Sequence, residues 1–574
     1  MEEKMEEKKK MSQLQKQMLI IFICIAAFAV LFGIYKLIFE PIIIKMREPE
    51  VFSVEDLDDG TGRSVLKSNK HDDVILTILP GETVATFGTT HRIMITPKIE
   101  RSEIKNVQVK NKNDAYKLIH HLGQNTYYVD GSPMVPIDQE IIASFFTNVG
   151  YLLSMERVAA ENADDETEEI LENFEPFGLN PDNPGIYFIV TKTDDEWYKI
   201  IIGDKIPTTG GYYVMYEDKN GIRPAIYILD TMMEDTILNT RYSLMLPIIS
   251  KPIPQNETIY IDNFKFYKGR DLEVEIYNAP IPEGSDMLVN WQMKYPTPYP
   301  VADAYSNYIY MFVYFAGDRV VYTFSEDDII AFNTEDGELS DEATAKLHEF
   351  GFDEYTAQIS FDFKDRDYYF VFSKPNEAGN YYVLSMDFYS IVEISPSSLK
   401  LEGYPQIIIE WDLFKFVRKS IFDENINDVE SIVVKVPGKI DAVFDFKNIE
   451  QENEKGNLAE VLQVKGNGVD LIVNKIGDDD YFRGYYYSIL SIDLEDYDVN
   501  IYDDKDPMLE MIVTTKDGII RDYKFYFVEG QTRRCFYTIN GVGDFYVLRD
   551  KVLKLANDTE RVLQNLPIAK EARE

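Results

Sequence analysis

The chain has 574 residues, 45% of them hydrophobic and 13% aromatic, which excludes a disordered polymer and supplies material for roughly three or four domains. Its net charge of −41 repels phosphate backbones, so nucleic acid is not expected as a partner. Residues 1–50 hold eight Lys/Arg and seven Asp/Glu, a balance of +1, so −42 falls on the remainder and disfavours its lying flat on anionic lipid.

The first segment, residues 1–17, carries Lys4, Lys8, Lys9, Lys10 and Lys16 and reads as a cytoplasmic tail; its interleaved glutamates count little in the positive-inside rule. Met18 to Tyr35 is an unbroken uncharged run, continued past Lys36 by Leu37, Ile38 and Phe39. About 20 apolar residues cross a bilayer as a helix, and Lys36 can reach the interface. No small-x-small cleavage pattern follows. The prediction is an uncleaved signal anchor over 18–39: a single-pass protein of the cell membrane, N-terminus cytoplasmic, bulk extracytoplasmic. Cys24 lies in this run and Cys535 far along the chain, so no internal disulfide is expected; an exported chain without one points to a bacterial source.

A juxtamembrane segment (40–100) leads into three stretches that share an order of elements: module 1 (101–250), module 2 (251–420) and module 3 (421–574). Module 1 has a strand at 104–109, a helical region from Gln139 to Val158, an acidic run and Phe177-Gly178-Leu179. Strands follow at 187–190, 198–204, 212–214 and 226–229, with a helical tail ending at Leu246-Pro247. Module 2 has Phe264-Lys265-Phe266, a helix around Ala302 to Phe315, Phe350-Gly351-Phe352, and strands at 359–363, 368–372, 381–383 and 391–394. Module 3 has strands at 431–436, 511–515, 523–527, 535–537 and 545–548 but lacks the Phe-Gly-Leu mark. Thr240 to Pro247 parallels Thr559 to Pro567. Lys516-Asp517-Gly518, Gly210-Gly211, Asn220-Gly221 and Asn540-Gly541 supply hairpin chemistry between alternating strands. The predicted fold is α+β: one N-terminal transmembrane helix, then three tandem modules, each an antiparallel β-meander with flanking helices on one face.

Module 1 resembles bacterial membrane-anchored proteins of the domain of unknown function 4340 family. The matching residues are Phe177-Gly178-Leu179 with Asn183-Pro184, Ile201-Ile202-Gly203-Asp204-Lys205, Gly210-Gly211-Tyr212-Tyr213-Val214 and Ile226-Tyr227-Ile228-Leu229-Asp230. The link Arg418-Lys419-Ser420-Ile421-Phe422 with Asp428-Val429-Glu430-Ser431-Ile432 is similar to the family's passage between modules. The resemblance covers about residues 100–250 well and the other two copies more faintly. It implies an auxiliary role beside ABC transporter permeases and gliding-motility-type components. The family brings no functional residues with it.

Chemistry is thinly marked. His120 and His121 are adjacent, read as a helix-end pair, and cannot chelate one metal from one face. His71, His91 and His348 are scattered, and no G-x-S-x-G accompanies them. Thr208-Thr209-Gly210-Gly211 lies between strands and no G-x-x-x-x-G-K-[ST] exists, so ATP binding by this chain is not expected. Asp478-Asp479-Asp480, Asp503-Asp504 with Asp506, and Asp56 with Asp58-Asp59-Gly60 offer oxygen ligands to calcium but lack EF-hand spacing; a solvated surface is the plainer reading. A carboxylate pair for glycoside hydrolysis is neither supported nor excluded among 99 acids. Tyr485-Tyr486-Tyr487 and Tyr295 to Tyr299 suit stacking on a sugar or a partner, with sheet and turn packing as the commoner use.

The sequence thus assigns no catalytic, cofactor-binding or metal-ligating residue, no cofactor and no enzymatic activity. The expected function is a membrane-anchored extracytoplasmic accessory or scaffold protein, an auxiliary component of an ABC-type transport system. The alternative is an extracytoplasmic ligand-binding module for envelope glycan, peptide or cation, with a surface hydrolase third.

Overall fold

The structure, a computed structural model, describes residues 12–47, 49–161, 170–208, 210–231, 233–253, 261–281, 288–452, 458–497 and 506–568. Lys4, Lys8, Lys9, Lys10, the acidic run at 162–169, Thr209 and Asp503-Asp504 lie outside them.

The first helix starts at a capping box. Ser12 Oγ accepts from Gln15 N at 3.3 Å, and the Gln15 side chain accepts from Ser12 N at 3.1 Å. Helix α1 (Gln13–Ile34) passes through a π-turn at Tyr35–Phe39 into α2 (Glu40–Arg47). Lys36 and Glu40 pair at 2.5 Å across that turn. The apolar stretch Gln13–Ile44, 32 residues long, is the one helix among the described residues long and apolar enough to cross a membrane, and the chain buries none of it. At about 1.5 Å per residue it is longer than the ~30 Å hydrocarbon layer requires. It therefore runs past both ends of the predicted 18–39 span.

The chain forms two compact units, 1–246, to which the helix belongs, and 247–574. The first unit holds a three-stranded antiparallel sheet (Phe52–Asp56, Ser64–Ser68, His71–Ile78) and a hairpin (Thr83–Phe87, Thr90–Met94) where the sequence gives only a juxtamembrane segment. It also holds sheet I. From edge to edge sheet I runs Thr126–Val129, Ala115–His121, Ile104–Lys110, Ile186–Lys192, Trp197–Lys205, Tyr212–Asp218, Ala225–Leu229 and Ser154–Ala160; the short Gly221–Ile222 pairs with Tyr212–Asp218.

The second unit contains two further nine-stranded sheets. Sheet II runs Tyr299–Pro300, Trp291–Tyr295, Asp271–Asn278, Ile261–Lys268, Tyr355–Phe363, Arg366–Ser373, Tyr381–Ser385, Ser390–Ile394 and Arg319–Thr323. Sheet III runs Val469–Asp470, Leu458–Gly466, Ile440–Glu452, Val429–Val436, Leu509–Thr515, Ile520–Tyr526, Arg534–Ile539, Val542–Leu548 and Leu494–Tyr497. Every pairing among their described strands is antiparallel, and the whole is a mixed helix-and-sheet chain.

None of the three is a single meander. In each, a first strand starts at the centre and its hairpin partners run to one edge. A helix then carries the chain to the opposite edge. The next strand returns to the centre beside the first, and the remaining hairpins close the gap. The carrying helices are Gln139–Val149, Ala304–Tyr310 with its 3-10 extension to Tyr314, and Phe482–Leu490. Each buries apolar side chains against its sheet. Ile142, Phe145, Phe146 and Val149 do so in the first, on the side where Val107, Val109, Phe188 and Val190 stand in register. The predicted helix from Gln139 to Val158 ends at Val149, capped by Gly150, where a Cβ would lie 2.3 Å from Ile99 O; the chain turns there and Ser154–Ala160 becomes the far edge strand.

Other local predictions divide. Asn540 and Gly541 both have positive φ (53° and 78°), as a tight hairpin between right-twisted strands demands. The likeness of Thr240–Pro247 to Thr559–Pro567 is not conformational. Arg241–Leu244 is a 3-10 turn, whereas Thr559 lies inside the helix Arg549–Leu563, whose Val552, Leu555, Thr559 and Val562 form a continuous buried stripe.

Candidate functional site

The residues that carry the family resemblance pack against one another. The 3-10 turn Glu175–Phe177 closes on Gly178, whose φ is +64°. A Cβ on Gly178 would lie 2.4 Å from Asp204 Cγ; one on Gly203 would lie 2.2 Å from Phe177 O and 2.9 Å from Leu179 Cγ. Leu179 is buried with Ile201, Met215 and Ile226 on the sheet face opposite the helix Gln139–Val149. Gly203 lets the Phe177 backbone approach the strand and Gly178 leaves room for the Asp204 side chain, so the motif is a packing joint.

Among the described side chains the histidines do not converge. His120 and His121 close the strand Ala115–His121 instead of a helix, because the alternation Tyr116, Leu118, His120 has period two. His120 is buried, donates from Nδ1 to Ile104 O at 3.0 Å and stacks on Tyr127 with centroids 4.6 Å apart. His121 faces solvent. His91 meets Thr86 Oγ1 at 3.0 Å and the edge of Phe52.

Among the described residues no group of three or more His, Cys, Asp or Glu is placed to hold a metal ion. Asp59 is spent locally: hydrogen bonds from the Thr61 side chain and backbone, then Arg63, hold its carboxyl down to about 2. Asp56 accepts from Ser64 Oγ at 2.8 Å. The tyrosines mostly serve packing. Tyr485 hydrogen-bonds Thr559 at 3.0 Å, Tyr486 donates to Glu424 O at 2.7 Å, and Tyr299 meets the Tyr537 hydroxyl at 2.6 Å; Tyr487 alone of the triplet is exposed.

A cavity with mixed chemistry lies on sheet II, on the face opposite the helix Ala304–Tyr310. Between the edge strand Arg319–Thr323 and the central strand Tyr355–Phe363 the chain inserts two helices, Glu326–Phe332 and Asp341–Glu349. Ser325 caps the first through a capping box with Asp328, and Ser340 Oγ caps the second by accepting from Ala343 N at 3.1 Å. Asp328 is buried. It accepts from Ser325 Oγ at 2.5 Å and from Ser340 N at 2.8 Å, so one carboxylate ties both helix starts together. Burial pushes this carboxyl up, but the hydrogen bonds from Ser325 and Ser340 outweigh it and leave the group below its ordinary value.

Under these helices is a cavity of about 660 Å³. Val371 and Leu384 of the sheet form its floor, Phe332, Leu347, Phe352 and Tyr355 its apolar walls, and Asp341, Thr344, His348 and Asp353 its polar rim. His348 Nδ1 and the Asp353 carboxylate are in direct contact. Gly351, at φ +77°, turns the chain so that Phe352 packs inward while Asp353 stays out. The volume falls in the range of small-molecule sites, about 300–1,000 Å³.

No family model, curated protein or solved structure matches the chain. What this cavity can do therefore follows from its own groups. A solvent-facing imidazole held by one carboxylate, beside an apolar floor, can bind and orient; the rim offers Thr344 as its one hydroxyl besides Tyr355. Sequence reading placed His348 among scattered singles and passed over Asp353, although Ser325-x-x-Asp328 and Ser340 are legible helix starts.

A smaller cleft of about 250 Å³ lies at the hairpin tips of sheet I. There Glu196 bridges Lys219 at 2.7 Å and Lys192 at 3.0 Å, and these two ammonium groups hold its carboxyl below the usual range. The cations are already paired, which leaves little for a ligand.

Proposed function

We propose that this chain is a membrane-anchored extracytoplasmic accessory or scaffold protein, built of three copies of one module and working beside an ABC-type transport system. The observation that carries the anchor is the exposure of Gln13–Ile44: Phe22, Phe28 and Leu31 are 70%, 72% and 64% exposed, and the chain offers them no cover. A contiguous apolar surface of that kind requires acyl chains or a partner. Lys16 before the run favours a cytoplasmic N-terminus. The common path of sheets I, II and III supports three copies of one module, in line with the shared order of elements in the sequence. The transport partner rests on the resemblance to the domain of unknown function 4340 family.

Crosslinking of the full-length protein in its native membrane, followed by mass spectrometry of what is captured, tests this reading. Recovery of a permease together with its ATPase supports it. Recovery of the chain alone, or of wall material, sinks the transport role. An extracytoplasmic ligand-binding module is the second reading, favoured by the cavity on sheet II.

A further inference from the structure

We infer that the cavity on sheet II is a binding site for an organic cation with an apolar body: a primary ammonium or guanidinium carried on an aromatic or aliphatic group. This deepens the ligand-binding reading and rests on it. The polar rim carries two carboxylates, Asp341 and Asp353, and none of the lining residues is Lys or Arg. The walls include the rings of Phe332, Phe352 and Tyr355, and aromatic faces attract cations. Tyr355 already shows that chemistry with a group of this chain: the Arg270 guanidinium lies 5.5 Å from its ring centroid, and Arg270 donates to Asp353 O at 3.4 Å. The floor is apolar, with Val371 and Phe352 buried, so a hydrated inorganic ion would leave it unused.

Charge decides between ligand classes. Phosphates and carboxylates would meet Asp341 and Asp353 at the rim and a protein of net charge −41 around it. The same field concentrates cations near the surface. A sugar needs hydrogen-bonding groups along its body, and here the polar groups stand at the rim while Val371, Leu384, Phe332 and Leu347 below provide none. The ammonium would sit at the acidic rim, meeting Asp341 first because Asp353 already holds His348, with its apolar body on Val371 and Leu384.

The test uses the full-length chain in phosphatidylcholine nanodiscs with three probes of one shape: 2-phenylethylammonium, 2-phenylethanol and 3-phenylpropionate. Binding is read by saturation-transfer NMR and titration calorimetry against empty nanodiscs. Saturable binding of the ammonium probe is expected, with no binding of the carboxylate. Asp341→Asn combined with Asp353→Asn, near-isosteric and at the rim, is expected to weaken it about tenfold or more. Ala345→Trp, which fills the space from the helix side, is expected to abolish it, with the melting temperature of each variant as the folding control. Equal binding of the alcohol, blocked by Ala345→Trp and untouched by the Asn pair, would overturn the cation assignment and leave a ligand site. Absence of binding by every probe would overturn both.

Discussion

The Asp328 carboxylate and the Ser340 backbone N–H are joined at 2.8 Å, and through that bond one buried acid sets the positions of two helices. Asp328 also accepts from Ser325 Oγ, so both helix starts over the sheet II cavity depend on a single side chain. Asp328→Ala removes a cap and leaves Ser340 N–H without its partner; together these cost about 2–3 kcal/mol. Urea denaturation of the wild type and the variant measures the loss. Asp328→Asn is expected to lose less, since its amide oxygen can still accept one of the bonds.

The same residue gives a pH dependence with a fixed sign. Its carboxyl lies below the ordinary value of 3.8 in the folded state. Such a group contributes stability above its unfolded value, and that contribution is lost as pH falls through the folded one. The difference in stability between wild type and Asp328→Asn should therefore be constant from neutral pH to about 5 and shrink below about 4. A difference that grew on acidification would contradict the hydrogen-bond pattern.

Among the described residues of the first unit, Glu82 and Arg157 form the most deeply buried ion pair, 2.7 Å apart with the Glu82 side chain fully enclosed. Tyr227 Oη donates to Glu82 Oε1 at 2.7 Å, Leu79 N donates to Oε2 at 2.8 Å, and Arg157 Nη2 donates to Thr77 O at 3.0 Å. Glu82→Ala leaves a buried guanidinium uncompensated, at a cost of about 3–5 kcal/mol. Replacing both partners, Glu82→Met with Arg157→Met, should recover much of that loss, because a desolvated pair is worth little more than apolar packing of equal volume. Thermal melts of the two singles and the double measure the coupling.

Gly203 lets Phe177 O and Leu179 approach the sheet. Gly203→Ala would push a methyl into that carbonyl at 2.2 Å, a contact with backbone that a rotamer change cannot relieve. Destabilisation of about 2–4 kcal/mol is expected, larger than for a solvent-facing substitution such as Thr147→Ala on the helix Gln139–Val149. Equal melting temperatures for Gly203→Ala and the wild type would mean that the Phe177-Gly178-Leu179 turn does not seat on Gly203.

The sequence was most legible where one physical signal acts alone. Met18 to Tyr35 is apolar without interruption and forms a helix. Strands such as Ile359–Phe363 and Tyr523–Tyr526 alternate and lie in sheets. Strand order was not legible. Nothing local in Ile104–Lys110 announces that Ile186–Lys192 will lie beside it, because that pairing is set by the helix between them and the face it must cover. The predicted helical region reaches Val158, yet its last residues belong to the strand Ser154–Ala160, which has Ala225–Leu229 to pair with. The cavity was hidden for a compositional reason. Asp328, Asp341 and Asp353 are three of 99 acids, and only the fold separates a buried capping carboxylate from a solvated one.

Two adjacent histidines provide a sharp contrast. His120 is 5% exposed and His121 faces solvent, because neighbours on a strand point to opposite sides of the sheet. His120 stacks on Tyr127 and lies edge-on to Phe146, 5.7 Å between centroids, and its Nδ1 satisfies Ile104 O. His120→Ala removes these ring contacts and a hydrogen bond to a buried carbonyl, a loss of about 2–4 kcal/mol. His121→Ala should fall within about 0.5 kcal/mol of wild type. Were the pair at a helix end, with both rings near the surface, the two substitutions would cost alike. Chemical denaturation of the two variants side by side distinguishes the cases, and a large loss for His120→Ala alone fixes the strand's facing.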